Sequence, residues 1–454
     1  MTRYVIIGTG PAGLSAAREI VANDPNGRIT VISEESCRSY SKPALSHYLA
    51  GEITRDQLLE TGSRLTPDSD RIEYCLNHEV TGIDVARQYV EFTSSAGISY
   101  NRLLIATGAR TKIPPIPGLD PSLVRSFMTL NDTDTLNKHI EPGKRALIIG
   151  GGLIGLKAAE ALHHRGMSVT VIEIMPWIMP SVLDSSAGNK LSEYHLRRQG
   201  LDVRITTSVK EIELNYNAGG KVILSDGSVM EFALAVLATG VEPKTFLNEI
   251  PRLQLHQGIV VDRFGKTNLE GIFAAGDVAE APDPLKGDLS TNLNWTSARE
   301  QGRVAGRAMT GISDDYQGSV ALNSLTFFGC PVITIGITNI PSSIDKKHYQ
   351  EFLDPTRRPG VYRKLVLRDG KVVGAILLGD LSFSGTYHRL IRDRVEVGDL
   401  GVELLTGGHR FVRLIEALRR DDMEGCYTWR QHVWEEVPYK KKLNTHKWQR
   451  RTQQ

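Results

Sequence analysis

The chain carries one glycine pattern twice, each time where an apolar run gives way to a helical stretch. Gly8, Gly10 and Gly13 follow Tyr4-Val5-Ile6-Ile7, and Gly150, Gly152 and Gly155 follow Ala146-Leu147-Ile148-Ile149. A strand that turns at once into a helix over a diphosphate needs such residues. One glycine makes the tight turn, one lets the backbone approach the phosphates, and one packs helix on strand. Both turns therefore predict a nucleotide site at a helix N-terminus, with Pro11 and Ala12 inside the first and Leu153 and Ile154 inside the second. An acid is expected at the end of the next strand, to accept ribose hydroxyls. Glu34 and Glu173 stand about 20 residues beyond their fingerprints, after the apolar runs 29–33 and 169–172.

A lone GxGxxG is weak, because any glycine-rich turn that opens a helix can match it. Here the repeat extends further. Leu103-Leu104-Ile105 runs into Ala106-Thr107-Gly108, and Ala235-Val236-Leu237 runs into Ala238-Thr239-Gly240, so whole domains are duplicated. Two dinucleotide sites in one chain imply that one nucleotide passes electrons to the other, which points to a flavin and a nicotinamide.

With Gly271-Ile272-Phe273-Ala274-Ala275-Gly276-Asp277 as a third motif, the chain from about residue 3 to about residue 400 resembles the FAD-dependent pyridine nucleotide-disulfide oxidoreductases. The resemblance implies an α/β fold with two Rossmann-like domains of the three-layer ββα type and a smaller α+β C-terminal interface domain. The FAD domain is expected at residues 1–112 and 246–315, and the NAD domain at 113–245. The interface domain, at 316–405 with a hairpin at Asp369-Gly370, is expected to pack on the FAD domain. A C-terminal extension follows at 406–454, where the family pattern fades. By resemblance Asp277 holds the FAD ribityl chain, Val80 offers backbone to the adenine, and Trp295 opens a helix whose N-terminus faces the flavin pyrimidine. Trp295 itself either borders the isoalloxazine or packs its helix. Arg110 either meets the FAD diphosphate or is simply exposed.

The stretch Tyr40-Ser41-Lys42-Pro43 is similar to that of rubredoxin and ferredoxin reductases, in which a lysine lies near flavin N5. Many relatives pair that lysine with a glutamate, but here the matching position is Lys157. Two close, poorly solvated cations repel, so either one turns away or Glu160, one helical turn on, neutralises the patch. Lys157 and Glu160 are thus candidates to tune the flavin, or form a plain helix-surface pair. Glu173 favours NADH over NADPH, because a carboxylate accepts ribose hydroxyls and repels a 2′-phosphate.

The four cysteines, Cys37, Cys75, Cys330 and Cys426, form no CxxC or CxxxxC pair, which argues against an iron–sulfur cluster or metal site of the chain's own. Pro43 stands where the family's oxidase branch carries a reactive cysteine, which argues against thiol chemistry. Adjacent histidines such as His163-His164 diverge on a helix. A net charge of +2 offers no general case for nucleic acid, and the longest apolar run, 146–156, is too short to span a membrane. A first strand starting by Tyr4 leaves no room for a secretory signal, so a cytoplasmic location is expected.

The extension carries Trp429, Trp434, Tyr439 and Trp448, and its last sixteen residues hold six Lys or Arg and no acid. It reads either as a frayed terminus or as a docking arm. The expected function is FAD-dependent exchange of electrons between NAD(H) and an iron–sulfur or rubredoxin-type partner, as the NAD-coupling subunit of a larger redox enzyme, with a homodimer or a hetero-oligomeric complex as the assembly. A stand-alone NADH oxidase is the alternative. A regulatory or nucleic-acid-binding flavoprotein is the weakest reading.

Overall fold

The structure, a computed structural model, describes residues 1–425 other than 65, 94–96, 216–218, 245–249, 314–315, 317, 341–345, 357 and 399. It divides into two compact units, Met1–Gly398 and Asp399–Gln454. Cys426, Trp429, Trp434, Tyr439 and Trp448 lie outside the described residues.

The flavin half of the first unit is built on a parallel sheet. From strand Arg3–Ile7 the chain runs to one side through Arg28–Ser33 and Ile72–Leu76, and to the other through Arg102–Ile105 and Ile272–Ala274. Its central strands read as near-continuous apolar runs because both faces are covered, whereas the edge strand Ile72–Leu76 carries the exposed Glu73. Tyr4 and Ile6 face helices α1 (Pro11–Asn23) and α3 (Trp295–Met309), while Val5 and Ile7 face the antiparallel strands Val80–Asp84, Tyr89–Phe92 and Ile98–Ser99. That alternation makes the three layers.

The nicotinamide half repeats the plan. Its parallel sheet has strand Arg145–Ile149 between Ser168–Ile172 and Leu234–Leu237, with Asp202–Arg204 outermost. Ile148 packs toward α2 (Leu153–His164), and Leu147 and Ile149 toward the meander Val209–Leu214, Gly220–Leu224, Val229–Phe232.

The third element is a five-stranded antiparallel sheet. Leu322–Phe327 forms one edge, and Tyr362–Arg368 and Lys371–Leu378 are joined through Asp369 (φ +48°) and Gly370 (φ +73°), the left-handed pair that a two-residue hairpin requires. It packs against both halves: on the flavin half a Cβ on Gly336 would come within 2.8 Å of Leu285, and Arg394 donates to the Pro284 carbonyl at 2.8 Å. Phe327, Cys330, Val332, Ile376 and Leu378 join the core of the nicotinamide half and of the segment around Tyr40–Leu58, and neither core cluster of the flavin sheet includes them. Buried polar contacts add to this. Lys364, 3% exposed, pairs with Asp184 (3.0 Å) and Glu351 (2.7 Å), and the Tyr362 hydroxyl donates to Asp184.

In the second unit, helices Glu403–Thr406 and His409–Gly425 are joined by a turn in which Gly407 takes φ +76°, with Arg410 beside Glu403.

Candidate functional site

In each half the sheet order reverses where the glycine turn begins. A Cβ on Gly8 (φ +115°) would lie 2.2 Å from the carbonyl oxygen of Ala106, and one on Gly150 (φ +112°) would lie 2.2 Å from that of Ala238. The glycine fingerprint and the Ala-Thr-Gly motif of each half are thus two sides of one crevice, at the switch point where open α/β sheets bind ligands. The third glycines pack under the first: Cβ atoms on Gly13 and Gly155 would meet the carbonyls of Gly8 and Gly150 at 2.1 and 2.0 Å. The middle glycines, Gly10 and Gly152, face open space. Both also start their helices without a side-chain cap, whereas α3 and helix Arg55–Ser63 are capped by Asn294 and Thr54. The free first-turn amides of α1 and α2 are donors of the kind a diphosphate accepts.

The cavity of the flavin half, about 610 Å³, is lined by Gly8, Gly10, Pro11, Ala12, Glu34, Lys42, Pro43 and Val80. Ala106, Thr107, Gly108, Arg110, Gly276, Asp277 and Trp295 complete the expected set. The residues present fit FAD. Burial pushes the Asp277 carboxyl up to about 6, with the Lys42 cation pulling against it, and its oxygens have no hydrogen-bond partner among the described residues. Ribityl hydroxyls would supply donors there. The Gly276 amide is held by Gln301 of α3 (2.8 Å), and Gly302 lets α3 lie directly on α1.

Several expected residues are placed differently. Lys157 borders the flavin cavity but pairs with Glu160 and donates to the Thr326 carbonyl at 3.2 Å. Glu160 lies outside the lining and accepts from the Phe328 amide at 2.6 Å. This pair fastens α2 to the C-terminal sheet, so Lys157 has its own counter-charge, while the charge of Lys42 acts on Asp277 without an ion pair between them. Arg110 lines the cavity while pairing with Glu242 at 2.9 Å. Glu173, only 6% exposed, is outside the cavity lining. Its carboxylate accepts from the amides of Gly151 and Met175, both at 2.8 Å, because a buried acid at this strand end satisfies the turn beside it. The Thr239 hydroxyl donates to the Lys112 carbonyl.

The second cavity, about 1120 Å³, is lined by Gly152, Leu153, Ile154 and Gly240 of the nicotinamide half and by residues of the other two elements. It shares Thr111, Leu153, Ile154, Leu293, Asn294 and Asn323 with the first. Sequence reasoning missed Asn323 and Lys244. The Lys244 ammonium sits on both carboxylate oxygens of Glu34, one at 2.5 Å, and no local pattern marks a contact across such a separation in the chain. Asn294 was legible as the N-cap before Trp295. No described cysteine lines either cavity, and burial pushes the thiols of Cys37 and Cys330 up to about 11. Among the described residues no group of three His, Cys, Asp or Glu could hold a metal ion.

The family model of the pyridine nucleotide-disulphide oxidoreductases matches residues 2–302, and that of the rubredoxin NAD+ reductase C-terminal domain matches residues 322–395. The nitrite reductase [NAD(P)H] of Bacillus subtilis is 32% identical over 401 residues, covering 87% of this chain and 48% of that protein, so the chain spans about half its length. The epsilon subunit of the NADH-dependent phenylglyoxylate dehydrogenase of Aromatoleum evansii is 30% identical over 437 residues, covering 94% of this chain and 98% of the subunit. That share exceeds what residues 1–405 can supply, so the likeness runs into the extension, where the sequence motifs had faded. Among solved structures, the NAD-dependent persulfide reductase from A. fulgidus aligns with a TM-score of 0.78 at 27% identity, covering 86% of this chain and 77% of that one. On these matches the chain belongs to the pyridine nucleotide-disulphide oxidoreductase family, as an oxidoreductase that binds FAD and NAD(H).

Proposed function

We propose that the chain is an NADH-preferring electron transferase that couples NAD(H) through FAD to an iron–sulfur or rubredoxin-type protein, as the NAD-coupling subunit of a larger cytoplasmic redox enzyme. The observation that carries this is the wall common to the two cavities, around Leu153 and Ile154, where the redox ends of two nucleotides would meet. FAD, when bound, supplies the conversion between a hydride and single electrons. The protein's own part is to hold and to insulate. The glycine turns and uncapped helix starts seat the diphosphates, Lys42 and Asp277 face the flavin cavity, and Leu153, Ile154 and Leu293 exclude water from the junction. With Pro43 in place of a thiol and Cys37, Cys75 and Cys330 all free, electrons meet no disulfide among the described residues. The match to a whole dehydrogenase subunit supports the coupling role, and the match to the rubredoxin reductase C-terminal domain supports the class of partner. In this reading the FAD domain comprises 1–112 and 246–315, the NAD domain 113–245 and the C-terminal sheet domain 316–405.

The test is anaerobic mixing of the FAD-reconstituted chain with NADH, followed by a ferredoxin, a rubredoxin or oxygen. Bleaching by NADH and rapid reoxidation by the iron protein are expected. Fast reoxidation by oxygen alone would make the chain an NADH oxidase, and failure to take up FAD would defeat the reading. Iron analysis of material co-purified from the native source identifies the partner's class.

A further inference from the structure

The two asparagines on the shared wall differ in what they leave free. Asn294 caps α3: its Oδ1 accepts from the Ser297 amide at 2.8 Å. A backbone N–H can only donate, so the side-chain orientation is determined and the Nδ2 group is left as a donor. Asn323 comes from the edge strand of the C-terminal sheet. Its Nδ2 donates to Oγ1 of Thr334 at 3.1 Å, and Thr334 is itself only 2% exposed. A hydroxyl can donate or accept, so it is in the orientation with Nδ2 on Thr334 that the Asn323 Oδ1 is left as an acceptor. Both side chains are half-buried, border both cavities, and have no other hydrogen-bond partner among the described residues.

A free amide donor on one element and a free amide acceptor on another match a primary carboxamide, which presents one carbonyl and one NH2. We propose that Asn294 and Asn323 clasp the nicotinamide carboxamide, Asn294 donating to its oxygen and Asn323 accepting from its nitrogen, and so set which face of the ring meets the flavin. This rests on the reading of the larger cavity as the nicotinamide site. The flavin pyrimidine also carries carbonyls and an N–H. The nicotinamide is the better occupant because Gly152, the open glycine of the second fingerprint, lines the same cavity as both asparagines and does not line the flavin cavity. The clasp also gives the C-terminal sheet a part in coenzyme binding, since strand Leu322–Phe327 supplies half of it.

The probes are NAD+ and 3-acetylpyridine adenine dinucleotide, in which a methyl group replaces the carboxamide NH2 while the carbonyl remains. Calorimetry on the FAD-loaded chain gives both dissociation constants, with the flavin absorbance spectrum and FAD retention as controls. The wild type is expected to bind NAD+ about three- to tenfold more tightly than the analogue, the range of one neutral hydrogen bond. Asn323→Ala should bring that ratio to about one, and Asn323→Asp, which keeps an acceptor, should retain it. Asn294→Asp keeps the helix cap but loses the donor, so it should weaken both probes by a similar factor and leave the ratio unchanged. The flavin spectrum should be the same in all variants. A wild-type ratio of one, a ratio that Asn323→Ala does not alter, or a shifted flavin spectrum with loss of FAD would each overturn the clasp. Failure of the wild type to bind NAD+ at all would instead sink the reading of the cavity.

Discussion

Asp277, half-buried in the wall of the flavin cavity, and Glu173, buried outside the lining, differ in what holds them. Asp277 has no hydrogen-bond donor among the described residues, and its carboxyl is pushed up to about 6 from 3.8. An acid whose folded pKa exceeds its unfolded value binds its proton more tightly in the native state. Its contribution is therefore full below about pH 4 and is lost as pH rises through about 6. Apoprotein melting temperatures should fall over that window, and Asp277→Asn should flatten the slope, by up to about 3 kcal/mol of stability. Glu173 has two backbone donors, which stabilise the charged form and hold the glycine turn. Glu173→Gln, keeping one acceptor without the charge, should weaken NADH use and relax discrimination against NADPH. Ratios of kcat/KM for the two coenzymes check this, and unchanged ratios would remove Glu173 from coenzyme selection.

At the scale of elements, the glycines separate folding from binding. A Cβ at position 302 would lie 2.1 Å from the Ala12 carbonyl, and one at 306 would lie 2.7 Å from the Ala16 backbone, so α1 and α3 pack backbone to backbone. Gly302→Ala should destabilise even the apoprotein by about 2 kcal/mol or more, since neither helix backbone can yield cheaply. Gly10 has φ −74° and nothing within reach of a Cβ, so Gly10→Ala should fold normally. That methyl group would enter the space where the diphosphate must approach, and FAD retention should fall. Melting curves of the two apoproteins, with bound flavin measured by absorbance, distinguish the cases. Equal melting temperatures would refute the packing argument.

At the scale of the whole molecule, the C-terminal sheet is bound into the nicotinamide half through a common core, the buried Lys364–Asp184 pair and the Lys157–Glu160 clasp on residues 326–328. The cavity between them is a wall of one folded body, which favours a fixed nicotinamide site. The basic, aromatic tail beyond the described residues is the remaining candidate for contact with an acceptor, because cationic groups steer acidic partners. Truncation after Pro438 is expected to preserve NADH reduction of the flavin and of small dyes. It should slow transfer to the native acceptor, and the full chain's transfer should weaken as salt rises. Equal transfer with and without the tail would show that it takes no part in docking.

The sequence by itself determined the two dinucleotide halves, because strand, turn and helix are local. A doubly covered strand must be apolar throughout, a diphosphate turn must be glycine, and a ribose acid must end the next strand. Those rules pick out Gly8 to Gly13, Gly150 to Gly155, Glu34 and Glu173 without coordinates, and the family resemblance adds Asp277. Only the tertiary structure showed that Ala106 and Ala238 close the glycine turns across a switch point, that Lys157 pairs with Glu160 while bordering the flavin cavity, and that Asn323 reaches the wall common to both cavities from the third sheet. Each of those depends on contact between segments far apart in the chain, and such contacts are chosen by which apolar faces pack together. Side-chain spacing along one strand or helix carries no record of that choice.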